Sequence, residues 1–270
     1  MSVSRSTAKE RGAVKTVDRL VRILDCFSPE QPTWSLSELS VHLELPKSTL
    51  HRFLVSLESH SILHRDPGDK RWCLGYRLFV WGSLAAESTS LRHIARPVLR
   101  DLVADTGETV FLTAYHGQEV ICIEKVETGQ PVRMTLDVGR RQFPHAGASC
   151  KILMAYLPEK EIQAIIRDKG LPRLCTNTIT DPAELMGELA RIRERGYAES
   201  QEETDLSAWG VAAPIYGRTG EVVAAIGVAG PTSRFTGESH QRAVMLCRQA
   251  SRRISALLST GIELESRNSF

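Results

Sequence analysis

The chain has 270 residues, long enough for two domains, with 42% hydrophobic and 24% charged residues, a globular balance that excludes a low-complexity or polyelectrolyte chain. No apolar run reaches the roughly 18 residues of a membrane span, and the polar start MSVSRSTAKERGAVK lacks the apolar segment of a secretory leader. A cytoplasmic protein without membrane contact is expected, and its net charge of +2 does not by itself argue for nucleic acid.

Residues 1–14 read as a disordered N-terminal tail. KTVDRLVRILDCFS (15–28) places Val17, Leu20, Val21, Leu24 and Phe27 at helical spacing, which predicts an amphipathic helix. Ser35-Leu-Ser-Glu38 is a capping box that opens a short helix through about Leu43. Pro46 fits the first turn of the next helix, which runs to about Ser59. Its apolar stripe is Leu50, Phe53, Leu54 and Leu57, and its other face carries Lys47, Ser48, Thr49, His51 and Arg52. ILHRDPGDKRWCLG (62–75) reads as two short strands around Asp66-Pro67-Gly68-Asp69. Together these make a winged helix-turn-helix over residues 15–75. The aromatic and apolar segment 76–90 reads as a linker helix with a dimer surface.

Residues 91–260 alternate between helices and hairpins, an α+β pattern. A helix is expected at about 91–106, then strands near 109–115 and 120–126 with a turn at His116-Gly117, and another strand near 131–137. After Pro144-His145-Ala146-Gly147-Ala148-Ser149 a helix begins at about Cys150. Asp181-Pro-Ala-Glu184 is a second capping box, and its helix ends at Gly196. Residues 211–229 read as a hairpin turning at Gly217–Gly220. A helix over about 236–260, with stripe Ala243, Cys247, Ala250, Ile254 and Leu257, precedes a C-terminal tail at 261–270.

Residues 1–75 hold 11 Lys/Arg against 9 Asp/Glu, so a case for DNA rests on where the positive charges sit. The first residues of the second helix of a helix-turn-helix touch base edges in the major groove. Here they are Pro46, Lys47, Ser48, Thr49, His51 and Arg52. Lys47 and Arg52 can donate to guanine or phosphate. Arg19 and Ser35 are candidates for the DNA backbone, and Lys70 and Arg71 on the wing for the minor groove or phosphates.

The arrangement resembles the IclR family of bacterial regulators, from about Thr16 to Leu258. The carrying segments are LSELSVHLELPKSTLHRFLVSLE (36–58), ARPVLRDLVADTGETVFL (95–112), PHAGASCKILMAYLP (144–158), ELARIRERGYAESQEET (188–204) and VAAPIYGRTGEVVAAIGVAGPTSRF (211–235). The resemblance implies a GAF-like α/β effector-binding second domain, a homodimer or homotetramer, a palindromic double-stranded DNA operator, repression as the favoured sign, and a small carboxylate or aromatic effector. It also implies a pocket lined by Met134, Ala148, Ser149, Cys150, Ser200, Glu202, Ala208, Trp209, Gly210, Gly227 and Ala229. Free N–H groups at a helix start suit a carboxylate there. The chain departs from the family pattern at Glu44, where the tight turn often has Gly, at Gly210, where Cys is frequent, and at Gly227 and Ala229, where Ser is frequent. A pocket floor emptier and less polar than usual is expected, suited to a larger or more apolar ligand than a two- or three-carbon acid.

The six cysteines Cys26, Cys73, Cys122, Cys150, Cys175 and Cys247 are scattered, with no C-x-x-C pair and no zinc-ligand spacing. No cofactor, metal or catalytic set is expected. The competing readings use Cys150 at a helix start as a redox sensor, or with His145 as an enzyme nucleophile. A third uses His145, Cys150 and Glu202 or Glu203 as a metal sensor.

Overall fold

A computed structural model describes residues 15–87 and 90–260, so both predicted tails lie outside the described residues. The chain forms two compact units, divided between residues 88 and 89.

The first unit opens with α1 (Lys15–Leu24), α2 (Leu36–His42) and α3 (Lys47–Ser59). Their shared core is Ile23, Leu39, Leu43, Leu50, Leu54, Leu57, Leu63 and Trp72. Helix α1 stops at Leu24, short of the expected Ser28, and the residue it buries is Ile23, while Val17 and Val21 are about half exposed. The expected face holds in part: Leu20, Leu24 and Phe27 pack against the core beside Ile23, which the stripe did not include, while Val17 and Val21 do not. Ser35 caps α2 as expected: its hydroxyl accepts from the Glu38 amide at 3.2 Å and the Glu38 carboxylate accepts from the Ser35 amide at 2.8 Å. Pro46 is the N-cap of α3 rather than its first helical residue, with φ −57° and ψ 135°.

The wing is the antiparallel pair β1 (Leu63–Arg65) and β2 (Trp72–Leu74). The Asp66 carboxylate accepts from the amides of Gly68 and Asp69, which holds the turn. Trp34 adds a bridge to Trp72 on the other edge, with backbone bonds of 2.9 and 2.7 Å. Helix α4 (Tyr76–Glu87) closes this unit.

The second unit is a six-stranded antiparallel sheet in the order β5-β4-β3-β8-β7-β6. The strands are β3 (Thr109–His116), β4 (Glu119–Val126), β5 (Arg141–Gln142), β6 (Ala198–Gln201), β7 (Ala208–Tyr216) and β8 (Val222–Pro231). Helices α5 (Ser90–Thr106) and α9 (Gly237–Thr260) cover one face through Leu99, Leu102, Ala243, Cys247 and Ile254, packed on Val110, Leu112, Val211, Ile226 and Val228. Helices α6 (Ala148–Ala155), α7 (Glu159–Lys169) and α8 (Pro182–Arg195) cover the other, with Ile152, Met154, Ile162, Leu185 and Leu189 packed near Val120, Ala212 and Ala225. Because both faces are covered, β7 is buried along nearly its whole length. Asp181 caps α8 by accepting from the Glu184 amide at 2.8 Å, and Gly196 ends it in the left-handed region.

Four further elements differ from expectation. Residues 131–137 form no strand but an irregular segment, tied down where the Val132 carbonyl accepts from Arg234 at 2.9 Å. Helix α7 is not among the expected elements, although Ile162, Ile165 and Ile166 stand at helical spacing. Strands β5 and β6 are too short to show a period of two.

Two constraints of this fold are testable. Glu44 sits at φ 54° between α2 and α3, where a side chain costs about 1 kcal/mol. Glu44→Gly is expected to raise unfolding free energy by up to about 1 kcal/mol, after the entropy glycine adds to the unfolded chain; equal denaturant midpoints would show an unstrained turn. His145 is wholly buried, and its Nε2 lies 3.1 Å from the Pro172 carbonyl. Burial holds its imidazole below the usual range. The unfolded chain therefore takes up the proton first, so stability is complete above about pH 6.5 and falls as pH drops toward the folded-state value, by at most about 1.4 kcal/mol per pH unit. His145→Gln should flatten that part of the curve, and an unchanged slope would assign the loss to other groups.

Candidate functional site

On α3 the buried Leu50, Leu54 and Leu57 set the helix on its core, which turns the opposite side to solvent. Lys47, Ser48, His51 and Arg52 are exposed there and Thr49 is half-buried. The spacing of Lys47 to His51 and Ser48 to Arg52 makes two parallel rows of donors on that side. Val55, which the sequence pattern does not mark, is exposed one turn further on. Arg19 is exposed on α1, and Lys70 is exposed at φ 59° in the wing turn.

Two of the expected backbone-contact residues are already engaged. Ser35 spends its hydroxyl oxygen on the Glu38 amide. Arg71 donates from Nε to the Thr33 hydroxyl at 2.9 Å, from one terminal nitrogen to the Thr33 carbonyl at 3.1 Å, and from both terminal nitrogens to Glu38 at 3.2 and 2.7 Å. Arg71 is therefore a clamp between the wing and the start of α2. The sequence could not distinguish it from a free wing arginine, because its partners lie 33 and 38 residues away.

In the second unit a cavity of about 100 Å³ lies between the sheet and the start of α6, several times the space one water needs. Of the eleven residues expected to line it, ten do: Met134, Ala148, Ser149, Cys150, Ser200, Ala208, Trp209, Gly210, Gly227 and Ala229. Glu202 does not; at φ 51° its carboxylate turns back to accept from the Ser207 amide at 3.0 Å. Phe111, Gln142, Thr204 and Asp205 also line it, beyond the expected set. Strand alternation is the signal that places Phe111: Val110 and Leu112 pack under α5 and α9, so Phe111 faces the other way.

The same alternation orients Trp209, and the floor departs from expectation. Trp209 packs with the α5 and α9 layer, its indole stacked on Phe235 at 3.8 Å and edge-on to His240 at 5.1 Å. The floor is not empty at Gly227, because a Cβ there would fall on the Ser149 hydroxyl. Glycine is what lets that hydroxyl reach the sheet.

Helix α6 begins at Gly147, φ 89°, with no side chain capping it, so the amides of its first turn point at the cavity without an intrahelical acceptor. Behind this end lies a buried ion pair: Lys151 donates to Glu203 Oε1 at 2.5 Å, and the Gly147 amide donates to Oε2 at 2.9 Å. Glu188 stands 3.9 Å from the same ammonium. Burial pushes the Glu203 carboxyl up, and the Lys151 ammonium opposes this. The Thr178 hydroxyl donates to the Glu203 carbonyl at 2.6 Å, which fixes the loop that brings Thr204 and Asp205 to the cavity.

Cys150 lies beneath this end and is fully buried. Burial, and then the Glu203 carboxylate, push its thiol far up, which opposes the thiolate that the redox and nucleophile readings require. Among the described residues, no three His, Cys, Asp or Glu side chains converge as a metal set, and no helix is long and apolar enough to cross a membrane.

Comparison with known proteins accounts for both units. Residues 16–67 match the IclR helix-turn-helix domain, and residues 83–256 match the family described as bacterial transcriptional regulator IclR C-terminal. The chain is 34% identical to the HTH-type transcriptional regulator BhcR of Paracoccus denitrificans over 229 residues, 85% of this chain and 82% of that protein. It is 31% identical to the transcriptional repressor IclR of Escherichia coli over 235 residues, 86% of each. A crystal structure of an IclR homologue from Microbacterium hydrocarbonoxydans complexed with 4-hydroxybenzoate superposes with a TM-score of 0.79 at 27% identity, covering 91% of this chain and all of that one. With a reading helix in one unit, a cavity in the other and both family domains in order, this chain belongs to the IclR family of bacterial transcriptional regulators.

Proposed function

We propose that the protein represses transcription from a palindromic operator and that a small aromatic or compact apolar carboxylate, bound in the cavity at the start of α6, alters its grip on DNA. The observation that carries the DNA half is the solvent-facing side of α3, where Lys47, Ser48, His51 and Arg52 are exposed against a buried leucine stripe. Lys47 and Arg52 supply the strongest donors to phosphate or guanine, and Ser48, Thr49 and His51 the shorter contacts. Arg19 and Lys70 reach the flanking backbone, while Arg71 acts indirectly by holding the wing. A homodimer or homotetramer would present two such helices to half-sites about one helical turn apart or a multiple of it. The relatives named as repressors favour repression.

The ligand half rests on the free first turn of α6, which with its dipole favours an anionic oxygen. Phe111, Met134 and Leu136 supply an apolar wall for the rest of the molecule. The 4-hydroxybenzoate of the Microbacterium homologue is a ligand of this kind. Such a ligand acts by linkage: whatever factor it imposes on DNA affinity, DNA imposes on ligand affinity.

For the reading helix, fragments of the source genome selected by purified protein at ~150 mM salt should yield a few palindromic promoter sites above the non-specific electrostatic background. On such a site, Lys47→Ala with Arg52→Ala should weaken binding by at least about tenfold and lower the salt slope by about 1 for each phosphate left without its cation. Selection that is unchanged by the double replacement would move the interface off α3. For the pocket, Gly227→Ala should displace the Ser149 hydroxyl and weaken benzoate or 4-hydroxybenzoate in calorimetry by about tenfold or more, the worth of one charge-assisted hydrogen bond, with DNA binding in the absence of ligand retained. Unchanged acid affinity would place the ligand elsewhere.

A further inference from the structure

The cavity has a second polar end that the α6 amides do not use. Gln142 lines it from β5, the outer strand on one side of the sheet. Its backbone pairs with Val120 of β4, whose side chain packs in the α6 layer, so Gln142 projects to the same face. The Nε2 atom of Gln142 is buried, and among the described residues it has no hydrogen-bond partner. The Ser149 hydroxyl and the α6 amides lie over β8, three strands away in the sheet order, and the Phe111 ring on β3 stands between. The cavity thus has donors at two separated places and an apolar wall between them.

A buried amide donor without an acceptor is costly, and a ligand that brings the missing acceptor removes that cost. A site built in this way rejects the analogue that lacks the matching oxygen far more strongly than an apolar wall rejects an extra methylene. We propose that Gln142 is a specificity-determining residue: its side-chain amide donates to a second oxygen of the effector, remote from the carboxylate bound at α6. The effector class is then narrower than a carboxylic acid with an apolar body. It is an acid whose far end carries a hydroxyl, carbonyl or second carboxylate oxygen. This rests on the proposed acid pocket and adds the identity of the other end.

The test is isothermal calorimetry on the full chain with matched acids: benzoate against the three monohydroxybenzoates, and butyrate against succinate. In the native protein the best oxygenated acid of a series should bind about tenfold tighter than its parent, the worth of one rescued buried donor. Gln142→Met, close in length but without the amide, should bring that ratio near one while the parent acid binds as before or better. Gln142→Leu provides a second apolar replacement, and thermal unfolding of both variants verifies the fold. If an acid binds but the ratio is absent, or survives in both variants, Gln142 does not read the effector although the acid pocket stands. If no acid of either series binds native protein that still binds its DNA, the acid pocket and this assignment fall together.

Discussion

The carboxylate of Glu203 joins the two walls of the candidate pocket. One oxygen accepts from the Lys151 ammonium and the other from the Gly147 amide, while its own carbonyl accepts from Thr178. A charge taken out of water is tolerable only when paired and hydrogen-bonded, and losing one partner of a buried pair costs about 3–5 kcal/mol because the other is left uncompensated. That constraint obliges the loop bearing Thr204 and Asp205 to stay against the start of α6. It also leaves the following amides of α6 open, since Glu203 takes the Gly147 amide and no side chain caps the helix. The same pair lies beside Cys150, whose thiol is pushed up first by burial and then by the Glu203 carboxylate.

A similar economy operates in the first unit. Arg71 binds Thr33 and Glu38 together, and Glu38 simultaneously caps α2 through the Ser35 amide. Cap and wing are therefore one hydrogen-bonded assembly, which positions α3 without using any of its exposed donors. Those accepted bonds hold the Glu38 carboxyl below the usual carboxylate range. The assembly is thus intact across the neutral range and is lost only as pH falls through that lowered value. The strained turn at Glu44 sits on the other side of α2, so the short helix is held at both ends by local geometry rather than by its own seven residues.

The sheet assigns tasks by parity. Successive residues of β7 face opposite helical layers, so Gly210 looks toward Ala148 and the cavity, while Trp209 stacks on Phe235 on the far side. On β3 the same rule sends Phe111 to the cavity and Val110 and Leu112 to the core under α5 and α9. A pocket with small residues on its floor and an aromatic ring on its wall results from strand register, without a dedicated binding motif.

What the residues determined by themselves is everything governed by interactions within a few positions. The Ser35–Glu38 box, the Asp181 cap, the Gly196 stop, the Asp66 turn and the leucine stripe of α3 are all local, and each was legible because its partners are two to four residues apart. The order of segments also carried the family, and with it ten of the residues that line the cavity. The end of α1, the missing strand at 131–137 and the short strands β5 and β6 were not legible, because neighbours distant in sequence decide them. The same holds for three side chains placed by contacts remote in sequence. Arg71 finds partners 33 and 38 residues away, Lys151 meets Glu203 across 52 residues, and Gln142 enters the cavity only because β5 pairs with β4. Residue types specify what each group can donate or accept, but only the packed chain decides whether that capacity is spent internally or left facing a ligand.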